Sequence, residues 1–412
     1  MSRNHASDIV PSLVAGSING ILFVVSSMAL ASLIFTGPLS PYLSQGIGIL
    51  LVGSVVLAVF SALTASHPLI VISPQDIPIA ILALMAASIG AGIGDQLSAE
   101  EAYEFVFVAI GLTSVLVGVF FWLLGYFKLG KLVRFFPFPV VGGFLAGTGW
   151  IIVKFSVTMM TGIDLTLANT GRLIEMGVLV EWLPGLVFAV VLLLASRRFS
   201  HYLVIPSILL LGVVVFYATW FGQGVSFNDL QSNGFLLGPF PEGGLFPGLP
   251  LQHVPDFRWD LFWAHLPATA TLMILCAISL LFNYSGLELV LKTDFDLDRE
   301  LRWTAYSNLL AGMAGSPAGY LTLSETSLAY KLGARSRLPS MIAAVICGVA
   351  LIFGAQVLSV FPKVILGGLL LNLGLLFLVE WLWDTWGKLQ KSDYLVIVFI
   401  LLGIGTFGFL QG

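Results

Sequence analysis

Two short stretches decide the fold, Val71-Ile72-Ser73-Pro74-Gln75-Asp76-Ile77-Pro78 and Gly315-Ser316-Pro317-Ala318-Gly319-Tyr320. Each interrupts a long apolar segment with a Ser-Pro step. Proline has no backbone N–H and disfavours helix at the residue before it, so each segment is predicted to run extended and to become helical only past the Ser-Pro. Non-helical backbone at membrane depth persists only where it is buried in protein or lines a cavity. The composition places these stretches at such a depth: the 412 residues are 58% hydrophobic and 10% charged, against about 25% charged for soluble domains.

Outward from the two breaks, apolar segments recur at about 11–35, 42–63, 69–90, 103–127, 138–160, 178–196, 203–221, 265–291, 301–315, 317–331, 339–360, 362–383 and 394–411. Most approach or exceed the ~18 residues that cross a hydrocarbon core. The expected fold class is therefore an all-α, multi-pass membrane protein with about 13 spans, the third and tenth being half-helices. The polar opening MSRNHASDIVPS has no signal-peptide pattern, and the N-terminus is expected in the cytoplasm. In that orientation the cytoplasmic segments hold 14 of the 18 Lys and Arg residues, among them Arg3, Lys128, Lys131, Arg134, Arg197, Arg198, Lys388 and Lys391. That is the positive-inside bias. The acidic turn Asp95 to Glu104 and the Gly/Pro/Phe-rich connection 222–264 fall outside.

An internal repeat pairs the breaks. Phe136-Pro137-x4-Gly142-Gly143-x-Leu145-x3-Gly149 recurs as Phe361-Pro362-x4-Gly367-Gly368-x-Leu370-x3-Gly374, at an offset of 225 residues. It makes the fifth span equivalent to the twelfth and the third to the tenth. Equivalent spans lie seven apart and so run in opposite directions, an inverted repeat that places a transport site near the midplane between discontinuous helices. The first repeat is expected over 1–221 and the second over 265–412.

The run Leu129-Gly130-Lys131-Leu132-Val133-Arg134-Phe135-Phe136-Pro137-Phe138-Pro139-Val140-Val141-Gly142-Gly143-Phe144-Leu145-Ala146-Gly147 resembles the SulP family of anion carriers and exchangers. So do Asp298-Arg299-Glu300-Leu301 with Asn308 and Gly312, and Leu332-Gly333-Ala334-Arg335. The resemblance implies seven-plus-seven inverted repeats divided into core and gate domains, an elevator-like movement, a homodimer and residence in the plasma (inner) membrane. It also implies a fourteenth helix and a cytoplasmic STAS domain, whereas this sequence stops at Gly412 after its thirteenth apolar segment: either the natural protein is longer or the last helix and that domain are absent. Two further departures concern the site. Where many members carry a proline-glutamine pair in the first span, this chain has Val25-Ser26. Where the family often places an arginine at the start of the tenth-span half-helix, this chain has Glu325.

Intramembrane carboxylates are the sharpest chemical signal, because a buried charge is costly unless paired, protonated or functional. Asp76, with Ser73 and Gln75, opens the first half-helix, where an acid also suits the positive end of the helix dipole. Glu325, with Thr322 and Ser324, opens the second; a structural ion pair competes with a site role. Asn283 and Glu288 share the eighth span. Five residues apart they lie ~140° apart around a helix, so both cannot face one cavity. Ser26 is a weaker first-span candidate. These residues form the expected substrate-binding set, with H⁺ or Na⁺ coupling at Asp76, Glu288 and Glu325. No cofactor or resident metal is expected, since the five histidines and two cysteines have no ligand spacing. There is no basic stripe for nucleic acid and no nucleophile-base set for an enzyme.

The leading expectation is a secondary carrier of a small solute, an inorganic anion or carboxylate by family resemblance. The acids at the breaks argue for cation coupling, or else for a cationic or zwitterionic amino acid as the solute. An anion channel or a voltage-sensing membrane protein is the alternative of another class.

Overall fold

The computed structural model describes residues 6–93, 97–130, 138–199, 201, 203–240, 245–246, 248–249, 254–255 and 257–407. Arg3, His5, Asp95, Lys131, Arg134, Phe136, Pro137 and His253 fall outside them. In chain order the first elements are α1 (Ala6–Ile34), α2 (Leu43–Thr64), β1 (Ile72–Pro74), α3 (Asp76–Gly90), α4 (Ala99–Tyr126) and α5 (Phe138–Thr161). Then come α6 (Thr170–Leu173), α7 (Met176–Arg198), α8 (Val204–Gly222), α9 (Phe227–Ser232), α10 (Trp259–Ala264) and α11 (Leu266–Leu291). The chain continues through α12 (Leu297–Met313), β2 (Gly319–Leu321), α13 (Leu323–Lys331), α14 (Leu338–Phe353), α15 (Ala355–Ser359), α16 (Lys363–Leu378) and α17 (Lys391–Phe407).

Every expected apolar segment contains a helix. Eight of the described helices are long and apolar enough to cross a bilayer, whereas α3, α12, α13, α14 and α17 have 15, 17, 9, 16 and 17 residues. The connection 222–264, expected as a plain loop, folds two short helices, α9 and α10. Ser226 starts α9 with a reciprocal capping box to Asp229, which explains why so short a helix forms.

The molecule divides into two compact units that cut across the boundary expected between the repeats. One comprises Met1–Phe135 with Gly244–Phe353, the other Phe136–Gly243 with Gly354–Gly412. Each unit thus draws helices from both halves of the sequence.

In the second unit α5 packs on α16 and α17, and α7 packs on α16. The repeated glycines meet at the first of these crossings. A Cβ on Gly149 would stand 2.8 Å from the carbonyl oxygen of Gly374, and one on Gly374 would stand 2.7 Å from that of Gly149. Residues equivalent by the repeat therefore touch each other symmetrically, the close approach that small residues permit between membrane helices. The outward faces of α7 and α8 leave Val187, Leu194, Leu210 and Leu211 exposed. Such faces have hydrocarbon as their solvent.

In the first unit α12 packs along α4, α14 along α1 and α2, and α11 against α3. The helices enclose β1 and β2, whose six residues are all buried.

Candidate functional site

Both breaks are real and they meet. β1 pairs antiparallel with β2 in the register Ile72↔Leu321, Ser73↔Tyr320 and Pro74↔Gly319. The pairing extends one residue further at each end, with Gln75 N–H donating to Ala318 O at 3.2 Å and Thr322 N–H donating to Val71 O at 3.0 Å. Backbone that proline had removed from a helical ladder thereby finds partners inside the helix bundle, as burial demands. Antiparallel strands leading into helices make α3 and α13 depart in opposite directions. Each directs its N-terminus, with first-turn N–H groups that have no partner in the helix, toward the strand pair.

Side chains from four helices fasten this crossing. On α12 the wholly buried Asn308 donates to Gly319 O at 2.7 Å and accepts from Gly319 N–H at 2.8 Å, closing both backbone groups of one strand residue. Asn283 of α11 donates to Leu321 O at 2.8 Å. Thr326 of α13 accepts from Val71 N–H at 3.2 Å. Asn19 of α1, also wholly buried, donates to Glu325 O at 3.3 Å, while its own Oδ1 has no hydrogen-bond partner.

The residues expected at the site sort themselves on this frame. Gln75 is the N-cap of α3, but its amide reaches back to Ser73 O at 3.1 Å and Tyr320 O at 3.3 Å instead of capping. It is half-buried, as is Asp76, whose Oδ1 accepts from Ile77 N–H at 2.9 Å. Ser73 is buried. Across the strands, Thr322 is the N-cap of α13 and its hydroxyl donates to Val71 O at 3.2 Å. Ser324 is exposed and donates to the Glu325 carboxylate at 2.6 Å. So the structure gathers Ser73, Gln75, Asp76, Thr322, Ser324 and Glu325 where the strand pair runs into the two half-helices. Ser26, on the unbroken α1, is exposed, while Ser27 beside it is buried against Ser54.

Asn283 and Glu288 separate as the helical phase requires. Asn283 holds β2, whereas the Glu288 carboxylate accepts from Phe295 N–H at 3.0 Å and closes the turn after α11. An acid at that position serves a backbone donor of the loop between α11 and α12, not the strand crossing. Asn308 and Tyr320 are the residues that sequence reasoning passed over as site components. Tyr320 is 1% exposed and its hydroxyl faces Ser279 without a hydrogen bond of normal geometry. A polar residue in an apolar span, eleven positions before a glycine in the break, was the available signal for Asn308. Among the described residues no group of three or more metal-ligating side chains is present.

Two discontinuous helices meeting at a strand pair, inside a many-helix apolar bundle, define an integral multi-pass membrane transporter fold. A sequence profile described as the Sulfate permease family matches residues 9–400, and the chain belongs to that family. It is 30% identical over 340 residues to the vacuolar basic amino acid transporter of Saccharomyces cerevisiae, covering 78% of this chain and 31% of the yeast protein. It is 23% identical over 352 residues to the bicarbonate transporter BicA of Synechocystis, covering 84% of this chain and 57% of that protein. The chain thus spans a third to little more than half the length of these relatives.

Among solved structures, the transmembrane domain of a cyanobacterial BicA superposes with a TM-score of 0.70 at 20% identity, covering 97% of this chain and 96% of that one. The murine Solute Carrier 26 family member A9 anion transporter, in the inward-facing state, gives 0.73 at 15% identity, covering 100% of this chain and 66% of that one. Both carry the same fold.

Proposed function

We propose that the chain is a secondary active carrier whose solute binds at the first turns of α3 and α13 and carries a positive charge, with a basic amino acid the best fit. The observation that carries this reading is the pair of acids at the crossing. Asp76 and Glu325 each stand in the first turn of a half-helix, and none of the residues gathered there is basic. Helix N-termini alone attract anions. An acid in each first turn offsets that field and offers a carboxylate to an ammonium or guanidinium group, with first-turn N–H groups left for a solute carboxylate. The replacement of the expected arginine by Glu325 points the same way, and so does the similarity to a basic amino acid transporter.

A second reading keeps an inorganic anion such as bicarbonate as the solute, supported by the similarity to BicA. It requires H⁺ or Na⁺ to neutralise the acids, because two carboxylates ~4 Å apart repel by ~4 kcal/mol at an effective dielectric of 20. In either case the unit holding the half-helices moves as a body in an elevator-like step.

Uptake of labelled arginine, bicarbonate and sulfate into proteoliposomes, each with and without a proton or sodium gradient, separates the readings. Saturable arginine uptake is expected. Bicarbonate or sulfate uptake with arginine inert would overturn the first reading in favour of the second.

A further inference from the structure

Away from the crossing, the first turn of α12 buries a carboxyl that the transport reading does not use. Glu300 is 2% exposed. The hydroxyl of Tyr284, itself 1% exposed on α11, donates to its Oε2 at 2.7 Å. Ser66, in the loop between α2 and β1, brings a second hydroxyl to the same group. Thr304, one turn further along α12, is 1% exposed and sets its hydroxyl beside that of Tyr284 without a hydrogen bond of normal geometry.

The charges around Glu300 come from few sources. On its own element they are Arg299, whose side chain is exposed, and Asp296, whose like charge opposes it. α11 contributes Tyr284 and, a turn later, Glu288, already engaged by Phe295 N–H. The α2–β1 loop contributes His67, whose ring lies 6.2 Å from that of Phe295. Burial and the guanidinium groups of Arg335 and Arg337 hold the His67 imidazole below its ordinary range, so it is neutral near pH 7. α4 meets α12 with the small residues Gly111, Gly118 and Gly125. Among the described residues no cation pairs with Glu300.

We propose that Glu300 is a proton-binding site, separate from the solute site, whose neutral carboxyl joins α11 to α12 through Tyr284 and so holds β2 in place. Burial without a paired cation favours the acid and outweighs the two hydroxyl donors, which favour the carboxylate. Its position gives that proton a consequence. Tyr284 directly follows Asn283, which holds Leu321 O. Eight residues along α12 from Glu300, Asn308 holds Gly319. Both ends of β2 are thus hung from the two helices that the Glu300–Tyr284 bond ties together. Loss of the proton leaves a buried charge that the Tyr284 and Ser66 hydroxyls alone must solvate, which draws water into the pocket between the helices.

The inference rests on the transport reading only for its effect on flux, so the experiment has two readouts. Infrared difference spectra of reconstituted protein, titrated from acid to alkaline pH, report protonated buried carboxyls through their C=O stretch. A band persisting at neutral pH and missing from E300Q is expected, with Y284F shifting its frequency because a hydrogen bond is gone. In the same vesicles, arginine uptake by the wild type should fall as pH rises, whereas E300Q, fixed in the neutral form, should keep its acid-side rate across the range. A spectrum unchanged by E300Q, or an E300Q pH profile that tracks the wild type, overturns the proposal. If E300Q does not fold, the frequency shift in Y284F decides alone. Absence of arginine uptake in all variants, with the Glu300 band present, tells against the solute and not against the proton site.

Discussion

Asn308 is neutral, wholly buried and makes three hydrogen bonds, two to Gly319 and one to Thr304 O at 2.8 Å. Its removal leaves the N–H and C=O of a buried strand residue without partners, and each such group costs about 1–3 kcal/mol. Asn308→Leu should therefore lower the unfolding midpoint of the detergent-solubilised protein and abolish uptake. A variant with wild-type stability would mean that water replaces the amide. At the solute site the contrast runs the other way. Glu325→Gln keeps shape and hydrogen bonding while deleting a charge, so stability should hold. The half-saturation concentration for arginine should rise by about 10–100-fold, roughly 1.4–2.8 kcal/mol. Asp76→Asn should act alike. If both variants transport arginine with wild-type half-saturation, the solute does not meet these acids.

At the scale of elements, the strand pair tolerates nothing larger than a hydrogen at Gly319. A Cβ there would stand 2.5 Å from Ser73 O, and that obstacle is backbone, not a flexible side chain. Gly319→Val should force β1 and β2 apart, costing about 1–3 kcal/mol or more of overpacking. Faster amide exchange at Gln75 and Thr322, whose N–H groups close the two ends of the pair, is the measurement that checks it.

These elements also mark the limit of what the chain spells out. The half-helices were legible because proline acts locally, and the glycine repeat was legible because its spacing is exact to the residue over 225 positions. The pairing of β1 with β2 was not, since register depends on which distant segments meet. Nor was the phase of α11, on which Asn283 and Glu288 lie ~140° apart and only packing decides which one meets the strands. Within Asp298-Arg299-Glu300-Leu301-Arg302, Glu300 turns inward while Arg299 turns out. Only packing against Tyr284 distinguishes them.

For the whole molecule, orientation in the bilayer follows from where the basic residues lie. The segment bearing Lys388 and Lys391 is predicted on the cytoplasmic side and α9 on the opposite side. The protein suits a direct test, because its two cysteines, Cys276 and Cys347, are both buried and contribute little labelling background. Ser232, at the end of α9, and Ser392, at the start of α17, are exposed and carry no strand or crossing contact. In intact cells a membrane-impermeant maleimide should label Ser232→Cys at once and Ser392→Cys only after permeabilisation. The physical weight behind this is the fourteen basic residues expected on one face from the sequence, which a reversed insertion would carry to the wrong side. Labelling in the reverse order would invert the molecule. It would also place Glu300, beside Arg299 and Arg302, on the face where external pH sets its proton.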